Sequence, residues 1–193
     1  GVYVDVAYSV QQTSDGGYIV AGYTFSSSAG GINVFLLKTG TSWARTFGGS
    51  SDDQAYSVQQ TSDGGYILAG GTYSFGAGGL DVFLLKTDSS GNLQWAKTFG
   101  GSSYDRVYSV QQTSDGGYIV AGYTLSFGAG SADVFLLKTD ASGNLQWIKT
   151  FGGSSGDYAY SVQQTSDGGY IVAGYTWSFG AGNSDVFLLK TDA

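Results

Sequence analysis

One string, Gln-Gln-Thr-Ser-Asp-Gly-Gly-Tyr-Ile, occurs four times in 193 residues, beginning at Gln11, Gln59, Gln111 and Gln163 with offsets of 48, 52 and 52. A second string, Val-Phe-Leu-Leu-Lys-Thr, follows at Val34, Val82, Val134 and Val186 with the same offsets. A third, Trp-x-x-Thr-Phe-Gly-Gly, occurs from Trp43, Trp95 and Trp147. Self-similarity at about 50 residues means that one supersecondary unit is repeated and that neighbouring copies bury each other.

Each full unit reads as four short strands. In the second repeat they are expected near residues 55–61, 66–72, 81–87 and 93–99, rich in Val, Ile, Tyr, Phe and Thr and separated by Gly, Asp, Ser and Asn. The Asp63-Gly64 pair marks a tight hairpin, and the stretch from Asp88 to Asn92 a longer hairpin loop with Gly91 free to take positive φ. No helical period persists. Val82-Phe83-Leu84-Leu85 is apolar on both faces, as suits a strand covered on both sides. The strand from Leu93 to Phe99 alternates, with Leu93, Trp95, Lys97 and Phe99 on one face, as suits an outer edge. Four-stranded units of this size with two faces to bury define an all-β fold, a β-propeller. The whole chain, residues 1–193, is expected to form one propeller domain with repeats at about 1–50, 51–102, 103–154 and 155–193. The Trp-bearing fourth strand has only three copies, so the last blade lacks its outer strand. The edge from Val186 to Thr191 is then a place for self-association. The expected assembly is a compact four-bladed ring, cut from or built into something larger; the alternative is half of an eight-bladed ring.

Composition removes whole classes of chemistry. The chain has no His, Cys, Met or Pro, and all 15 acidic residues are Asp. Disulfides, thiolate nucleophiles, imidazole bases and His- or Cys-ligated metals are excluded. A net charge of −7 with 8 basic residues argues against nucleic acid. No apolar run is long enough to span a membrane as a helix. The loop of Asp88 has one carboxylate where calcium needs several, so Asp88 is read as capping its own hairpin. Asp53, Asp105 and Asp157, with Asp5 as a rough counterpart, recur at one position and are read as loop-bracing groups rather than a catalytic pair. No enzyme activity, catalytic residue, metal or cofactor is expected.

The order hairpin, Tyr-Ile-Val-Ala-Gly, long loop, Asp-Val-Phe-Leu-Leu, then Trp in the last strand resembles the kelch-type blade. It resembles more closely the Asp-Gly-Gly-Tyr…Lys-Thr-Asp…Trp…Gly-Gly tandem repeats of secreted or surface-attached bacterial and archaeal proteins. The likeness covers the whole chain and departs from kelch at the glycine doublet, which is Ala-Gly in three repeats and Gly70-Gly71 in the second. It implies a propeller and an extracellular or cell-surface location, and no reaction. Kelch-like copper oxidases need His and Cys, which this chain lacks.

Variation among the repeats singles out one rim. In an up-and-down blade, the loop between strands two and three and the loop entering the next blade open on the same side. There the repeats differ: Phe25, Tyr73, Leu125 and Trp177 share one position, and Tyr3, Tyr104, Arg106 and Tyr158 precede or open the first strands. Tyr3, Phe25, Tyr73, Tyr104, Arg106, Tyr158 and Trp177 are therefore the candidate ligand-binding residues, with chemistry suited to a protein loop or a glycan. Trp43, Trp95 and Trp147 are expected between blades. The expected function is a non-catalytic binding scaffold; the alternatives are a lectin-like module and an engineered repeat protein without a native ligand.

Overall fold

The computed structural model describes residues 4–25 and 30–192; within them the chain has fifteen strands and no helix. The first blade comprises β1 (Asp5–Gln12), β2 (Tyr18–Thr24), β3 (Asn33–Lys38) and β4 (Trp43–Phe47). The second comprises β5 (Asp53–Gln60), β6 (Tyr66–Thr72), β7 (Asp81–Thr87) and β8 (Leu93–Phe99). The third comprises β9 (Asp105–Gln112), β10 (Tyr118–Thr124), β11 (Asp133–Thr139) and β12 (Leu145–Phe151), and the fourth β13 (Asp157–Gln164), β14 (Tyr170–Thr176) and β15 (Asp185–Thr191). Each blade is an antiparallel meander in chain order, four strands in the first three blades and three in the last.

Turn chemistry sets the meander. Thr61 closes the first hairpin twice: its carbonyl accepts the Gly64 N–H at 2.9 Å, and its N–H donates to the Gly65 carbonyl at 2.9 Å. Gly64 holds φ at +81°, the left-handed geometry that follows a type I turn in such loops. In the second hairpin Asp88 does cap its own loop, its Oδ1 accepting the N–H groups of Ser90 at 2.9 Å and Asn92 at 2.8 Å.

Two strand details depart from the sequence reading. β5 begins at Asp53, two residues before the expected start, because Asp53 and Gln54 still pair with Thr72 and Gly71 of β6; the Asp53 N–H donates across to the Ile32 carbonyl of the first blade at 2.7 Å. Leu93 is exposed rather than inward. The β7–β8 register skips Gln94, and this bulge turns Gln94 towards Lys86, whose Nζ donates to Gln94 Oε1 at 3.1 Å. Lys86 is itself buried and donates to Asp63 at 2.9 Å and to the Thr87 carbonyl at 2.8 Å. Burial works against the Asp63 carboxylate, but hydrogen bonds from Thr61, Lys86 and Gly65 outweigh it and hold Asp63 down at about 2.

A bulge also marks every first strand. The β5–β6 register shifts between Ala55 and Ser57, so Tyr56 is the extra residue. Opposite it stands Gly70, where a Cβ would lie 1.8 Å from the Gln54 carbonyl oxygen. In register, Ala69-Gly70 is the second blade's copy of the Ala-Gly pair, and its second position is glycine because the two backbones touch there.

Blades pack face to face through two different apolar surfaces. The forward face of the first blade, Ile19, Ala21, Val34 and Leu36, is covered by the rear face of the second, Ala55, Val58, Tyr66, Leu68, Phe83 and Leu85. The same pairing joins the second blade to the third and the third to the fourth. β6 and β7 are buried throughout their length, as expected for strands sandwiched between sheets. The inner strands β1, β5, β9 and β13 line a common hollow of about 320 Å³. The fourth blade does not pack back on the first: Val186 is 89% and Leu188 69% exposed, while Val134 and Leu136 on the third blade are fully covered. The described blades thus form a four-bladed propeller with the expected three-stranded last blade, left open between the fourth blade and the first.

Candidate functional site

The loops after β2, β6, β10 and β14 run beside the loops that enter the first strands. The N–H of Tyr73 donates to the Asp52 carbonyl at 2.9 Å, that of Leu125 to Tyr104 at 2.8 Å and that of Trp177 to Gly156 at 2.9 Å. The variable positions therefore do share one rim. Below them, Asp105 braces the loops: its Oδ2 accepts the Gly101 N–H at 2.8 Å and the Ser126 hydroxyl at 2.7 Å, and its Oδ1 the Thr124 hydroxyl. Asp53 and Asp157 accept from Gly49 and Gly153 in the same way, which is the structural role expected of them.

Of the seven candidates, Tyr3 lies outside the described residues. Tyr73 and Tyr104, on adjacent blades, meet edge to face at 6.1 Å between centroids, both exposed. Phe25, on the first blade, leans edge-on against Tyr23 at 5.6 Å. Trp177, on the fourth, is 52% exposed and makes no ring contact among the described residues. Arg106 and Tyr158 sit deeper. The Arg106 guanidinium lies 5.7 Å from the centre of the Tyr56 ring, and Tyr158 meets Tyr123 of the third blade at 4.9 Å and Tyr175 at 4.8 Å. The rim thus gathers Tyr73 with Tyr104, sets Arg106 and Tyr158 into a layer beneath, and leaves Phe25 and Trp177 at the two ends.

That deeper layer is a row of tyrosines absent from the candidate set. Tyr8, Tyr56, Tyr108 and Tyr160, one from each bulge, follow one another at 5.2, 5.6 and 4.8 Å. Tyr23, Tyr123 and Tyr175 flank them. Burial pushes the Tyr56 phenol up to about 12; Arg106 pulls the other way, and Tyr8, Tyr108 and Tyr123 add to the rise. Tyr160, at the end of the row and 45% exposed, is raised to about 12 by partial burial and by its hydrogen bond with Tyr175. The signal was present in the sequence as a Tyr-Ser-Val invariant in all four repeats, but an invariant tyrosine in a strand is equally what core packing requires. The second blade breaks the row's flank: Gly71 replaces the tyrosine, and Leu80 fills the space, 2.8 Å from where a Cβ would stand.

A polar hollow of about 450 Å³ lies beside Tyr73, lined also by Gly31, Ser50, Ser51 and Asp52. Asp52 Oδ1 accepts the Ile32 N–H at 2.9 Å, which fixes the carboxylate at the hollow's wall. The opposite rim carries Thr-Ser-Asp-Gly-Gly hairpins in every blade and no exposed aromatic of the second or third blade.

Consecutive antiparallel sheets set around a shared hollow define a β-propeller-type repeat protein. No protein-family model matches the chain, and no curated protein sequence matches it.

Proposed function

We propose that the chain is a non-catalytic binding module of secreted or surface-attached type, related to the kelch-like and Asp-Gly-Gly-Tyr repeat propellers, which grips a partner on its variable aromatic rim. One observation carries the reading: exposed rings crowd one rim, with Tyr73, Phe75, Tyr104, Phe127, Trp177 and Phe179 all more than two-fifths exposed, while the hairpin rim exposes Tyr18 of the first blade and is otherwise built of polar hairpins among the described residues. Exposed aromatics standing on a rigid, hydrogen-bonded loop frame lose little entropy on binding, and rings of this kind supply most of the energy in protein recognition. The tyrosine layer beneath stiffens that frame.

The second reading is a glycan ligand, favoured by the hollow beside Tyr73. A ring for stacking, a fixed carboxylate and two serine hydroxyls suit a sugar face and its hydroxyl groups. A glycan array and a displayed random-peptide library, each screened with the wild-type chain and with Trp177→Ala/Tyr104→Ala, test both. Glycan binders lost in the variant support the second reading, and peptide binders lost in the variant support the first. No binder in either screen, or binders indifferent to the two substitutions, contradicts the proposal.

A further inference from the structure

The opening leaves two uncovered sheet faces, and they are the two halves of an interface that the chain already makes three times. The forward face of the fourth blade repeats the forward faces of the others: Val186 and Leu188 stand where Val34 and Leu36, fully buried, stand in the first blade. The rear face of the first blade repeats the rear faces of the others. Val10 is 65% and Tyr18 48% exposed, whereas their counterparts Val58 and Tyr66 are almost completely covered.

The polar register matches as well. At each internal boundary a backbone N–H of the later blade donates to a serine of the earlier: Val58 to Ser9, Val110 to Ser57 and Val162 to Ser109, each at 3.2 Å. One residue pair further along, Gln60, Gln112 and Gln164 donate to Gln11, Gln59 and Gln111 at 2.6 Å. Among the described residues, the members of these two series that meet no neighbouring blade are the Val10 and Gln12 N–H groups on β1 and the Ser161 and Gln163 side chains on β13. They belong to the two open faces.

We propose that two copies of this chain join head to tail, the last blade of each against the first blade of the other, and close one eight-bladed ring. A second copy covers both faces at once through two identical boundaries, as two-fold symmetry requires. Eight blades lies within the four to eight of known propellers, and three copies would exceed it. Each boundary between copies joins blades that no covalent connection tethers, so, unlike the joints within a chain, it reverses on dilution. The proposal is independent of what the rim binds.

Native mass spectrometry and multi-angle light scattering of the 193-residue chain test it. The expected species is a dimer of twice 20.0 kDa that dissociates on dilution. Val186→Asp/Leu188→Asp and Val10→Asp/Tyr18→Asp alter exposed side chains only, so both variants fold with wild-type circular dichroism. Each alone runs as a monomer, and a mixture gives a one-to-one dimer through the single undamaged boundary. A wild-type monomer at every concentration up to about 100 µM overturns the proposal. So do open-ended oligomers larger than a dimer, and so does a dimer that survives in either variant alone.

Discussion

The indole of Trp43, on the outer strand of the first blade, meets the ring of Tyr66, on the second, at 5.8 Å between centroids and 61° between planes. Trp95 with Tyr118 and Trp147 with Tyr170 repeat this edge-on contact at 5.7 and 5.8 Å. Each tryptophan clasps the next blade near the hairpin rim, as the sequence pattern required, and each keeps one side in water.

Trp95→Ala therefore costs about 2–3 kcal/mol in chemical denaturation, below the roughly 3–5 kcal/mol of a fully buried tryptophan. A loss under about 1 kcal/mol would make the contact incidental.

The outer groove between the first two blades is unevenly filled. A cleft of about 450 Å³ lies between Phe47, Phe83, Leu85 and Ala96. At the next boundary Ile148 takes the place of Ala96 and packs against the core. Ala96→Ile covers apolar surface without crowding, and is expected to add about 1 kcal/mol, or about 2–4 °C in melting temperature. An unchanged or lower melting temperature would contradict this account of the cleft.

How much of this was legible in the sequence depends on the kind of residue. Strand order and the blade-to-blade tryptophans followed from invariant strings, because each string is a local instruction repeated. The rim followed from variable positions such as Tyr73 and Trp177. The tyrosine row did not: Tyr8, Tyr56, Tyr108 and Tyr160 are about 50 residues apart and meet only because a bulge in each inner strand turns them into one layer. The opening was half legible: three copies of the Trp-bearing strand against four of the others marked Val186–Thr191 as an uncovered edge, but the same face residues specify a closed or an open set of blades, and the exposure of Val186 and Val10 separates the two.

Buried acids at the blade joints give a pH signature. Burial raises Asp81, against the Ala77 N–H that its carboxylate accepts, and neighbouring Asp105 raises it further. A raised native value means that the contribution to stability is complete below the unfolded value of 3.8 and is lost as pH rises through the native one. The first blade carries Asn33 at this position, donating to the Gly30 carbonyl at 3.0 Å. Asp81→Asn should raise the melting temperature at pH 7 and lose that advantage near pH 3. The lowered carboxyls of Asp63 and Asp115, both about 2, act in the opposite sense: their stabilisation is full above 3.8 and is lost as pH falls through 2. A variant no more stable than wild type at pH 7 would show that Asp81 is not penalised.

The tyrosine layer predicts alkaline behaviour. With Tyr56 and Tyr160 of the row, and Tyr118 beside Trp95 at the other rim, at about 12 against an ordinary 10.0, folded phenols stay neutral where unfolded ones ionise. Stability is full below pH 10 and falls as pH climbs towards 12. Absorbance at about 295 nm should show these phenols titrating late in the native protein and together near pH 10 in urea. A single native transition near pH 10 would mean that the row is open to water.

The central claim is that one rim, and not the other, binds. Isothermal titration of the tightest glycan or peptide from the two screens tests it on two variants, one blunting the aromatic rim (Tyr73→Ser/Tyr104→Ser/Trp177→Ser) and one altering the hairpin rim (Ser62→Lys/Ser114→Lys/Ser166→Lys). The account predicts that the first weakens binding by about tenfold or more, with the melting temperature held within a few degrees, and that the second leaves affinity within about twofold. Binding that survives the first variant and fails in the second would contradict it.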